Sequence, residues 1–61
     1  MPLITVKAMG GRTTEQKRDL VKDITDAVVK NYNVPPEAVT IDIIEYSREN
    51  FGEAGKLFVD R

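Results

Sequence analysis

Between Leu3 and Met9 the chain alternates. Leu3, Thr5, Lys7 and Met9 fall on one side of an extended backbone, and Ile4, Val6 and Ala8 on the other. A period of two over residues that favour pleated structure predicts a strand. Gly10-Gly11-Arg12 breaks it. Thr13-Thr14-Glu15-Gln16 then has the form of a capping box, in which the Thr13 hydroxyl accepts from the Gln16 N–H and the Gln16 side chain reaches back to Thr13. From there the period changes. Leu20, Val21, Ile24, Ala27, Val28 and Tyr32 recur at helical spacing and form one apolar stripe along about five turns. Lys17, Arg18, Lys22, Asp26 and Lys30 occupy the opposite side, which reads as a solvated face with an Asp26–Lys30 ion pair. Asn33-Val34-Pro35-Pro36 ends the helix, because proline lacks the N–H and restricts the residue before it. After a short turn through Glu37 and Ala38, Val39 to Tyr46 alternates again, with Val39, Ile41 and Ile43 on one face and Thr40, Asp42, Ile44 and Tyr46 on the other.

A strand, about twenty helical residues and a second strand have the length of a right-handed βαβ crossover, so the two strands are predicted to be parallel. The fold class is α/β (α+β), as a single domain over residues 1–61. One helix covers only one sheet face, and the apolar side chains on the other face mark an interface. The tail, Ser47 to Lys56, carries turn glycines at Gly52 and Gly55 and leads to Leu57-Phe58-Val59. It reads as a hairpin-like segment whose closing strand pairs with a neighbouring subunit.

Size sharpens the expectation of assembly. A domain of 61 residues buries only about 60% of its unfolded surface and needs disulfides, a metal or partner chains. With no Cys and no His, disulfides and nearly all zinc chemistry drop out, leaving a homo-oligomer. Nine basic residues against ten acidic ones, interspersed, form no patch for nucleic acid. No apolar run is long enough to span a membrane and no leader pattern precedes the first strand, so a cytoplasmic protein is expected.

The chemistry available is that of amine, carboxylate, guanidinium and hydroxyl groups, and no phosphate-loop, metal or hydrolytic-triad motif is present. No cofactor is expected. Pro2 is the unusual group. Loss of Met1 would give it a free secondary amine, with a reference value near 7.7–8.0 that partial burial lowers. A base poised near neutrality suits proton transfer; otherwise Pro2 simply opens an edge strand. Arg12 sits at a strand-to-helix junction, where backbone N–H groups and the helix dipole favour an anion. Its guanidinium could grip a carboxylate in bidentate fashion or stand as a surface arginine.

Pro2, the run Gly11-Arg12-Thr13-Thr14-Glu15-Gln16-Lys17, the intervening crossover and Asn50-Phe51-Gly52 together resemble the 4-oxalocrotonate tautomerase family, in order and in spacing, over essentially the whole chain. The resemblance implies short βαβ subunits, assembled as trimers of dimers or related forms, with active sites built from several chains. It implies Pro2 as the catalytic base of an enol–keto tautomerase acting on a small carboxylate. It also implies Arg12 as the carboxylate binder and Phe51 as a pocket wall that keeps the amine desolvated.

Two positions depart from that pattern. Thr40 stands where the type enzyme has a second substrate-binding arginine, so a hydroxyl replaces a charge, and a monocarboxylate enol becomes a plausible substrate beside the diacid 2-hydroxymuconate. Arg48, Lys56 and Arg61 are other sources of a cation from a neighbouring subunit. Glu53 stands where related trans-3-chloroacrylic acid dehalogenases carry a water-activating glutamate, although the earlier arginine of their pair corresponds to Met9. A hydratase or dehalogenase is therefore the alternative enzyme. A non-catalytic oligomeric interaction module is the alternative of another class.

Overall fold

The computed structural model describes all residues from Met1 to Arg61. Strand β1 (Leu3–Met9), helix α1 (Thr14–Tyr32) and strand β2 (Thr40–Tyr46) follow in order, and the two strands pair in parallel. The register sets Ile4 beside Ile41 and Val6 beside Ile43 on the half-buried face, and Leu3 beside Thr40, Thr5 beside Asp42, Lys7 beside Ile44 on the other. A 3₁₀ turn at Pro36–Ala38 precedes β2. After it come a second 3₁₀ turn, Arg48–Asn50, and a small antiparallel hairpin of β3 (Gly52–Glu53) and β4 (Lys56–Leu57).

Each boundary has a local cause. Thr13 caps α1 in both senses of the capping box: its Oγ1 accepts from the Gln16 N–H at 3.1 Å, and its own N–H donates to Gln16 Oε1 at 2.9 Å. Thr13→Ala is expected to cost about 1 kcal/mol, within the measured range of ~0.5–2 for such caps. Chemical denaturation at fixed protein concentration measures it, since the stability of an assembly depends on concentration. At the other end Asn33 adopts a left-handed conformation with φ 55° and its N–H donates to the Val29 carbonyl, a stop that Pro35 and Pro36 reinforce. Gly11, at φ 109°, makes the turn between β1 and the cap.

Three sequence expectations are corrected. Asp26 pairs with Lys22 at 2.9 Å and not with Lys30; helical side chains lean toward the N-terminus, which carries the short Asp26 carboxylate back one turn. That hydrogen bond and the charge of Asp26 hold the Lys22 ammonium above its ordinary value, although an exposed pair contributes little to stability. Lys17 leaves the solvated face and binds Glu45 near the end of β2, tying the first helical turn to the sheet. Finally, Phe58 and Val59 continue not as a strand but as a 3₁₀ turn, Phe58–Asp60. The Phe58 N–H bonds the Phe51 carbonyl at 2.9 Å, and the strand that does form is only Lys56–Leu57 long and pairs with Gly52–Glu53 of its own hairpin.

The protomer is a slab of 44 × 23 × 13 Å. Its radius of gyration is 14.9 Å, against about 10.5 Å for a compact domain of this length. It exposes 4907 Å², where a compact monomer would expose about 4,000 Å². No residue is fully buried. Val21, Ile24, Val28 and Val29 are half-covered by the sheet, while Leu20 and Tyr32 overhang it at 41% and 70% exposure. Two strands about 4.8 Å apart are too narrow to cover the whole stripe. On the face away from the helix Leu3 is 74% exposed and Ile44 39%. Apolar faces this open, with no residue fully buried, are of the kind that mark an interface.

Candidate active site

Pro2 and Thr40 lie together at the start of the sheet. The Thr40 N–H donates to the Pro2 carbonyl at 3.0 Å, and Thr40 pairs with Leu3 in the ladder. Pro2 is half-buried and lines a cavity of about 480 Å³ with Leu3, Ile4, Ala27, Val28, Asn31 and Tyr32. Mostly apolar walls of this kind disfavour an ammonium and favour a neutral amine. Asn31 Nδ2 is committed to the Ala27 carbonyl at 2.8 Å, leaving its amide oxygen for other partners.

Arg12, Phe51 and Glu53 lie elsewhere. The Gly10 N–H donates to the Tyr46 carbonyl at 2.9 Å, which closes the far end of the sheet, and Arg12 follows two residues later, just ahead of the helix cap. Eight residue steps of strand separate Pro2 from Gly10, about 26 Å at the rise of a parallel strand. Arg12 is exposed, makes no ion pair within the chain and borders a depression of about 270 Å³ with Gln16, Lys17 and Leu20. The Arg12 side chain thus has no ion-pair partner in its own chain and lies at a helix start, a place where an anion is favoured.

Phe51 lies 6.0 Å from Tyr46 and meets Phe58 edge to face at 4.9 Å. With Lys7, Ala8, Met9 and Tyr46 it lines a cavity of about 490 Å³. Glu53 is in β3, exposed, with its carboxylate 3.8 Å from Arg61 Nη1 and its carbonyl accepting from Arg61 Nη2 at 3.4 Å. No set of three or more acidic, His or Cys side chains is arranged to hold a metal ion, and no helix is long and apolar enough to cross a membrane.

Of the candidate site residues, Pro2 and Thr40 thus lie at one end of the sheet and Arg12 and Phe51 at the other, the latter two in separate depressions. Sequence reasoning missed Tyr46 and Met9 as walls around Phe51, although their two-residue alternation with Ile44 and Lys7 placed them on one face. It also missed the contacts of Arg48, which have no local periodic signal.

Known proteins match the chain along essentially its whole length. The family model described as tautomerase enzyme matches residues 2–61. The 2-hydroxymuconate tautomerase of Bacillus subtilis is 40% identical over 60 residues, 98% of this chain and 97% of its own. A solved homologue of 4-oxalocrotonate tautomerase superimposes with a TM-score of 0.94 at 31% identity, covering 100% of this chain and 97% of that one. A 4-oxalocrotonate tautomerase from Chloroflexus aurantiacus, solved as a heterohexamer, superimposes with a TM-score of 0.86 at 27% identity over 98% of this chain and 97% of that one. With the βαβ topology and the C-terminal hairpin, these matches make the chain an isomerase, and it belongs to the 4-oxalocrotonate tautomerase family within the tautomerase superfamily.

Proposed function

We propose that this protein is an enol–keto tautomerase whose general base is the amine of Pro2, freed by loss of Met1. The observation that carries the reading is the half-buried Pro2 at a mostly apolar cavity, where desolvation favours the neutral form of a secondary amine over its ammonium. The substrate is a small 2-hydroxydienoate or another enol carboxylic acid, and no cofactor takes part.

The prolyl nitrogen takes the proton of the enol hydroxyl. As the O–H bond breaks, its electron pair forms the carbonyl, the carbon–carbon double bond migrates, and a substrate carbon receives the proton back from the prolinium. Oxidation state is unchanged. Arg12 of a neighbouring chain holds the carboxylate in the bidentate geometry that suits guanidinium. Phe51 walls the pocket, and the Thr40 hydroxyl donates one hydrogen bond at the prolyl end. With one charged clamp in each site, both 2-hydroxymuconate and monocarboxylate enols such as phenylenolpyruvate are substrates to assay by absorbance.

The two halves are separated by about eight strand residues at ~3.3 Å each, so the reading requires several chains per site. A homohexamer, as a trimer of dimers, is the assembly proposed, and sedimentation velocity tests it. A cytoplasmic location belongs to the same proposal, to be tested by cell fractionation.

In this reading Glu53 takes no part in the reaction; its carboxylate lies 3.8 Å from Arg61 Nη1. Glu53→Gln is expected to leave the ketonisation rate within about two-fold, as for a surface substitution away from the chemistry, and the protein is expected to release no halide from 3-haloacrylates. Halide release that Glu53→Gln abolishes would move the assignment to the dehalogenase reaction.

A further inference from the structure

Phe51 owes its position to a device in the C-terminal loop. The hairpin that follows it has strands of two residues each, too short to fix a register by ladder bonds alone. Arg48, the first residue of the 3₁₀ turn that leads into Phe51, reaches across this loop, and its Nη2 donates to the Phe58 carbonyl at 2.7 Å. Phe58 in turn donates its N–H to the Phe51 carbonyl at 2.9 Å and presents its ring edge to face at 4.9 Å. The Arg61 guanidinium lies 4.9 Å over the ring of Phe58. Arg48 has no acidic partner in the chain, so its charge is spent on that one carbonyl, in the stronger class of hydrogen bond.

We infer that Arg48 is a positioning residue for the reaction, holding the Phe51 ring in the pocket wall through Phe58. The inference rests on the reading of Phe51 as a wall that desolvates the prolyl amine. Arg48 touches no reacting atom. When it is lost, the hairpin base opens, Phe51 leaves the wall, water reaches the amine, and the amine's titration moves up toward its ordinary value.

The test places para-fluorophenylalanine at position 51 and compares Arg48→Met and Arg48→Lys with the unaltered protein, each checked for assembly by sedimentation. In Arg48→Met the fluorine resonance is expected to move toward that of the free amino acid. kcat for 2-hydroxymuconate should fall about ten-fold, the factor that one charge-assisted hydrogen bond is worth. KM stays within about two-fold because Arg12 still holds the carboxylate, and the acid limb of the pH–rate profile shifts to higher pH. Arg48→Lys keeps a charged donor and should recover most of the rate; if Arg48→Met fails to assemble, Arg48→Gln takes its place, a moved resonance with lowered kcat supporting the inference and an unmoved one overturning it. In Arg48→Met that does assemble, an unmoved resonance, or a moved resonance with kcat and the acid limb unchanged, overturns it equally. Turnover in the unaltered protein that does not depend on Pro2 would instead sink the proposed function, and the resonance would still decide whether Arg48 holds Phe51.

Discussion

Pro2→Ala is expected to lower kcat/KM for ketonisation of 2-hydroxymuconate by about 10²–10⁴-fold, the usual contribution of a positioned general base. After loss of Met1 the variant begins with a primary amine on a flexible residue, whereas the pyrrolidine ring fixes the approach of the nitrogen. The fold should be indifferent to the change: Pro2 donates no hydrogen bond, and its carbonyl, which anchors Thr40 at 3.0 Å, is retained by alanine. Unchanged sedimentation with lost turnover therefore separates chemistry from structure. The mass of the mature chain is measured alongside, because a retained Met1 makes the Pro2 nitrogen an amide without basicity. Equal rates in Pro2→Ala and the unaltered protein, both lacking Met1, would remove the prolyl base from the mechanism.

The elements that set the stage for this chemistry are legible in the sequence where they have a period or a cap. Alternation locates β1 and β2, the three-and-four spacing locates α1, and Thr13 with Gln16 marks its start as the structure shows. The C-terminal end is legible only as a turn-rich tail. Its β-strands are two residues long, below the length at which alternation has meaning, and Phe58 is fixed by ring contacts and by Arg48. Lys17 is misread because a helix wheel cannot show that Glu45, 28 residues away, lies within its reach. The candidate site is legible as residue types, Pro2, Arg12 and Phe51, but not as geometry. The predicted strand between them already places Pro2 and Arg12 at opposite ends of β1, about 26 Å apart, but no spacing says which chains would bring the two together.

That separation leads to the second large effect. Pro2→Ala and Arg12→Ala proteins, each nearly inactive alone at substrate concentrations well below KM, are expected to regain activity when their subunits are unfolded together and reassembled. If Pro2 of one chain works with Arg12 of another, a random equal mixture has about one site in four with both residues intact, since each neighbour in a symmetric assembly is drawn independently. About a quarter of the unaltered activity should return. If one chain supplied both groups, no site in the mixture would be whole and the rate would stay at the sum of the two variants. The first outcome is favoured by three independent facts: Pro2 lines a cavity that does not include Arg12, Arg12 is without an ion-pair partner in its own chain, and the protomer has no buried residue with which to stand alone. The loss in Arg12→Ala itself should appear chiefly as a raised KM for the carboxylate, about 10- to 100-fold for a charge-assisted hydrogen-bonded pair. The same two variants thus measure both the anion grip and the sharing of the site, and failure of complementation in a mixture that reassembles would return both roles to a single chain.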